Sequence, residues 1–148
     1  MHRTTAIIAT TVLLGATAAP QQLQRINPPA LGTPQTYTHV VKAGKIVFIA
    51  GQVGTSSDGK IAGSTLTAQL EQVLKNLGAA LESQGLDFNH VAKITIFTTD
   101  IAAFRAPDAA AIRGKYFGNA RPASTLVQVV QLANPEFKVE IEAFAVLP

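Results

Sequence analysis

The chain has 148 residues, 47% of them hydrophobic and 14% charged, with a mean hydropathy of +0.25. That suits one domain with a real apolar core and excludes intrinsic disorder. The absence of cysteine excludes a disulfide framework, a zinc ribbon and a thiol nucleophile. A net charge of +3 with no run of like charges nominates no polyanionic partner.

Residues 1–18 read as an export signal: His2 and Arg3 precede an apolar run at 6–16, and Ala16-Thr17-Ala18 supplies small residues for cleavage. The run is too short to span a bilayer, and its β-branched residues disfavour the alternative, a first core helix. The expected product is periplasmic or secreted, without a stable membrane anchor, and loss of Arg3 takes the charge from +3 to +2. Residues 19–35 hold four prolines and no periodic pattern, which predicts an extended leader ahead of a domain at 36–148.

Strand-like alternation runs over 37–41, a hairpin turn over 42–45, and a second strand over 46–53 that is apolar on both faces and should be covered on both. A Gly/Ser/Asp loop follows at 54–63. Over 64–84, Leu66, Leu70, Val73, Leu74, Leu77 and Leu81 recur at helical spacing, while Gln69, Glu71, Gln72, Lys75 and Asn76 are expected to face away. A third strand is predicted at 91–99, with Asp100 as a cap at its end. A second helix is predicted at 107–117, opened by Pro107. Two last strands are predicted at 124–132 and 138–146. The order ββαβαββ is an α+β layout with a mixed sheet and helices on one face. The other face keeps its apolar side chains, which points to self-association.

Few residues carry chemistry. Residues 54–60 approach a phosphate-binding loop, but Ile61 stands where a magnesium-holding hydroxyl belongs and no helix starts there, so a hairpin loop is expected. His39 and His90 lie on different elements, and no metal site is predicted. On the last strand, period-two geometry puts Glu140 and Glu142 on one face, with Val139, Ile141, Ala143 and Ala145 on the other. Two adjacent carboxylates repel, which raises a pKa toward acid/base use; a solvated strand face is the alternative.

Tyr37-Thr38-His39-Val40-Val41, Lys42-Ala43-Gly44, Ala50-Gly51-Gln52, Pro122-Ala123-Ser124-Thr125 and Val139-Glu140-Ile141-Glu142-Ala143 together resemble the RidA (YjgF) family, in family order and spacing. The resemblance implies a chorismate-mutase-like fold and a homotrimer with clefts between subunits. It also implies cofactor-free hydrolysis of reactive enamines and imines, of the 2-iminobutanoate/2-iminopropanoate deaminase type. It places Tyr37 and Glu140 in the catalytic role and Ser124 and Gly51 against the substrate, with Arg121 a candidate anion anchor beside them. Family members carry a carboxylate-clamping arginine where this chain has Ser124, and often a serine where it has Ala50. Arg121, three residues earlier, would point to the opposite face of an ideal strand, although Pro122 can bend it back. A surface or intersubunit salt bridge is its expected role. The resemblance leaves open a non-catalytic trimer that binds a small metabolite. A ribonuclease-type translation inhibitor is disfavoured, since no basic patch with aromatics accompanies the low charge, and no nucleic-acid partner is expected.

Overall fold

The computed structural model describes residues 22–148; the export signal expected at 1–18 and the start of the leader lie outside the described residues. Six strands form one sheet in the order β1-β2-β3-β6-β4-β5: β1 (Gln24–Ile26), β2 (Val40–Ala43), β3 (Ile46–Val53), β4 (Val91–Thr98), β5 (Ala123–Gln128) and β6 (Val139–Val146). All neighbours are antiparallel except β4 and β5, whose parallel pairing requires the helical crossover between them. The helices are α1 (Leu66–Glu82), α2 (Ile101–Arg105) and α3 (Pro107–Phe117).

Local chemistry sets these bounds. Gly44, at φ 59°, closes the β2–β3 hairpin in a conformation other side chains resist. The Thr65 hydroxyl accepts from the Ala68 amide and starts α1, while Asp100 accepts from the Ala103 amide and starts α2. Ala106, extended before Pro107, breaks what would otherwise be one helix into α2 and α3.

The core lies between α1 and one face of the sheet. Leu70, Val73, Leu74, Leu77 and Leu81 of α1 are fully buried, as are Val47, Val139, Ile141 and Ala145 beneath them. The opposite face is open: Ile46 is 46% exposed, Phe48 39% and Val146 43%. Phe48 and Phe144 meet edge to face there, with ring centroids 5.3 Å apart.

Four expectations change. The leader is part of the sheet: Gln24–Ile26 pairs with β2, a strand too short to show alternation and ended by Pro28 and Pro29, which cannot donate to a ladder. The helices are three, with α2 added between β4 and α3. The strand expected at 46–53 is covered on one face only, since every helix packs on the same side. Gln69 and Asn76 do not face away; they are buried in the α1 interface, because their amides satisfy loop backbone. Gln69 Nε2 donates to the Gly63 and Glu136 carbonyls, both at 2.9 Å, and its Oε1 accepts from the Lys138 amide at 2.8 Å. Asn76 Nδ2 donates to the Val53 and Thr55 carbonyls, at 3.0 and 2.8 Å.

Candidate functional site

The carboxylate pair sits where alternation places it. Val139, Ile141, Ala143 and Ala145 turn into the core, so Glu140 and Glu142 stand on the open face. Glu140 lies opposite Val53 on one side and Phe97 on the other, and Glu142 lies opposite Thr95. The β3–β6 register breaks between Ile49 and Gln52, a bulge that brings the Gly51 backbone against Glu140. A Cβ added to Gly51 would lie 1.9 Å from Glu140 Oε1, so the carboxylate occupies the space that a side chain there would fill. Burial pushes the Glu140 carboxyl above its ordinary value, and the Glu142 charge adds to the push. A carboxylate raised in this way is a stronger base than a free one, which suits it to take a proton from water.

Tyr37 precedes β2 instead of lying within a strand, because the β1–β2 ladder stops at Ile26 and Val40. Asn27 then holds the incoming chain, its side-chain oxygen accepting from the His39 amide at 2.9 Å. The exposed Tyr37 ring meets His39 edge to face at 5.3 Å, and both line a hollow of about 240 Å³ with Gly51 and Gln52. His39 is itself buried, which lowers its pKa and keeps the ring neutral at pH 7. Opposite Tyr37, the 54–60 loop closes as a hairpin through a bridge between Thr55 and Ile61. His90 caps its own turn by bonding Asp87 at 2.8 Å. Among the described residues, no cluster of three metal-ligating side chains is present, and no helix is long and apolar enough to cross a membrane.

Ser124 and Arg121 lie elsewhere. Ser124 pairs with Ile94, whose side chain faces the core, whereas Glu140 pairs with Phe97 on the open face. Ser124 and Glu140 therefore occupy opposite faces of one chain's sheet. Arg121 does not point away from Ser124. It precedes β5, where strand alternation does not apply, and it lines the same hollow of about 360 Å³. Its Nη1 donates to the Gly118 and Ala120 carbonyls, at 2.8 and 2.9 Å, and it forms no ion pair among the described residues.

Sequence reasoning missed two further arginines of this second hollow, Arg105 and Arg113. The available signal was at Arg113: residues 109, 110, 116 and 117, its helical neighbours, are Ala, Ala, Tyr and Phe, none able to pair its charge.

The Endoribonuclease L-PSP family model matches residues 28–147. The chain is 40% identical over 120 residues to Protein DfrA of Myxococcus xanthus, spanning 80% of this chain and 88% of that one. It is 36% identical over 120 residues to 2-iminobutanoate/2-iminopropanoate deaminase of Mus musculus, spanning 80% and 84%. The crystal structure of E. coli TdcF with bound serine superposes with a TM-score of 0.73 at 28% identity, over 84% of this chain and 98% of that one.

Proposed function

Because the chain belongs to the Endoribonuclease L-PSP family, the RidA (YjgF) family that its motifs resemble, we propose that it is a hydrolytic deaminase of small reactive imines and enamines. The observation that carries the reading is the Glu140 carboxyl, raised by burial and by Glu142 and seated in the space left by Gly51. Its likeness to the mouse deaminase supports the same chemistry.

In the proposed reaction water adds to the carbon of the C=N bond, and Glu140 takes the proton that this water gives up. The proton passes to nitrogen, the C–N bond breaks, and ammonia and a carbonyl compound leave. Tyr37 orients the substrate, and Gly51 lets its backbone approach closely. No cofactor enters the scheme.

The site is proposed to form between copies of the chain. Two observations support this. The open sheet face exposes Ile46, Phe48 and Val146, and Ser124 faces away from Glu140 within one chain, so a cleft holding both needs a neighbour. The homotrimer expected from the family meets both needs. Export remains part of the proposal on the strength of residues 1–18; fractionation of cells expressing the full chain checks it.

The test generates 2-iminopropionate in situ with an amino-acid oxidase and follows ammonia release. Release faster than in buffer, abolished in Glu140→Gln, is the expected result. Release at the buffer rate across several imines overturns the reading. Ligand-induced thermal stabilisation without turnover would instead favour a metabolite-binding trimer, which Ser124 in place of an arginine favours. RNA cleavage that disappears in Glu140→Ala would favour a nuclease.

A further inference from the structure

His39 is held through its backbone and on both sides of its ring. Its amide donates to Asn27 Oδ1 at 2.9 Å, and its carbonyl accepts from the Ala50 amide at 2.9 Å. The ring is 7% exposed and meets Tyr37, itself 53% exposed, edge to face. Its Nδ1 stands 3.4 Å from Gln52 Nε2. Gln52 is 2% exposed and ends the bulge that sets Gly51 against Glu140. One side chain thus touches both halves of the proposed site: the tyrosine that orients substrate and the bulge that seats the carboxyl.

The partners of Gln52 fix the tautomer of the ring. Its Nε2 also donates to the Ala50 carbonyl at 2.8 Å, where an amide oxygen would be repelled. An amide nitrogen only donates, so His39 Nδ1 must be bare and the ring proton sits on Nε2. A second proton on the ring would set two donors against each other at this contact. Burial disfavours that charge, and a hydrogen bond from the ring to the Leu31 carbonyl offsets it only in part. No charged side chain lines the hollow, and Tyr37 is the other titratable group in its wall. Asp58 and Lys60, on the facing loop, pair with each other at 2.7 Å, and α1 presents the uncharged Asn76. Arg25 of β1 lies level with Val41, Lys42 follows it on β2, and Glu140 meets Gly51 from the open face.

We propose that His39 is a positioning residue of the site: through Tyr37 on one side and Gln52 on the other, it sets the substrate-orienting ring and the Gly51 bulge relative to each other. The inference deepens the deaminase reading and rests on it for any effect on turnover, though not for the contacts themselves. In acid the ring gains its second proton, Gln52 turns away, and the side-chain tie between bulge and Tyr37 is lost. Turnover then falls in a step separate from that of Glu140, at a pH below the ordinary histidine range.

Nitrogen-15 NMR of the full chain, titrated from neutral pH into acid, reads the contacts without turnover. The expected result is an Nε2–H tautomer for His39, with the Gln52 side-chain amide and the Tyr37 ring moving at the His39 midpoint. An Nδ1–H tautomer, or a Gln52 amide indifferent to that midpoint, overturns the proposal whether or not ammonia is released. Two substitutions carry the test to activity. His39→Asn keeps an acceptor near the Nδ1 position and loses the ring, whereas His39→Phe keeps a ring against Tyr37 and loses the acceptor. Each should lower kcat/KM for 2-iminopropionate roughly 5- to 10-fold, and in each the acid limb should lose the His39 step and keep that of Glu140. An acid limb unchanged in both variants makes His39 purely structural and overturns its positioning role. A wild type silent on every imine, with the NMR signature intact, removes the deaminase and leaves the His39 link standing.

Discussion

The two faces of the sheet are built from the same strands and differ in what lies against them. On β3, Val47 and Ile49 are 0% and 2% exposed, while their neighbours Ile46 and Phe48 are 46% and 39% exposed. On β6 the same alternation buries Ile141 and leaves Glu140 half-buried on the other side. The covered face is finished within one chain, by α1. The open face carries both the apolar residues that call for a neighbour and the carboxylates proposed to do the chemistry. Burial in the core and the acid/base role proposed for Glu140 are thereby separated by a single residue step along β6.

The sharpest way to break that separation is to cut equally into both faces. Ile141→Ala, beneath α1, should cost about 2–5 kcal/mol in a denaturant titration, through lost burial and the cavity left behind. Phe48→Ser on the open face should change the unfolding midpoint of the dilute chain far less and lower the sedimenting mass. Equal losses from the two would show that the open face is already covered within one chain.

Glu140→Gln separates the faces by sign. Turnover should fall by roughly 100-fold or more, as for loss of a general acid/base. Stability should move the other way. A carboxyl raised on folding stabilises the fold below the ordinary carboxylate range, and that contribution is lost as pH rises through the raised value. The glutamine variant carries no such slope, so it should be more stable than the wild type at pH 7, with the gap closing on acidification. A gap that widens in acid would show that Glu140 is not desolvated.

Gly51→Ala gives a smaller effect at the same place. The new Cβ meets only the flexible Glu140 side chain, from Cγ outward, and no backbone, so stability should change little as that side chain moves aside while turnover falls roughly 10-fold. Equal losses of both would mean that the bulge itself has collapsed.

How far the sequence could be read obeys the same division. A continuous apolar run located β3 at 46–53, Pro107 marked the start of α3 at 107–117, and period two assigned Glu140 and Glu142 to the face opposite Ile141. What escaped was set by partners distant in the chain. Gln69 and Asn76 are polar by type and buried by circumstance, because loops at 53–63 and 136–138 present backbone groups to them. The strand at Gln24–Ile26 exists only because β2 offers an edge. Arg121 and Ser124 share a hollow through the path of the chain between α3 and β5, which no strand pattern encodes.

The smallest prediction lies at the rim of the covered face, where α3 is tied to α1. Tyr116 Oη donates to Glu71 Oε1 at 2.6 Å, and Lys115 Nζ reaches the same oxygen at 2.8 Å. Both donors hold the Glu71 carboxyl below its ordinary value, so their contribution is present above the usual carboxylate range and fades as pH falls through the lowered value, opposite in sign to Glu140. Burial and the Glu71 charge in turn push the Tyr116 phenol up to about 12. Its contribution is complete below the ordinary phenol range and lost as pH rises toward that figure. Tyr116→Phe should cost about 1 kcal/mol at neutral pH, and Lys115→Met about half as much, because its ammonium is largely solvated. An ultraviolet titration of the phenols supplies the check. The wild type should show a late step near pH 12 that Tyr116→Phe removes and Glu71→Gln shifts to lower pH. A late step that survives Tyr116→Phe would leave the α1–α3 tie without its proposed charge-assisted bond.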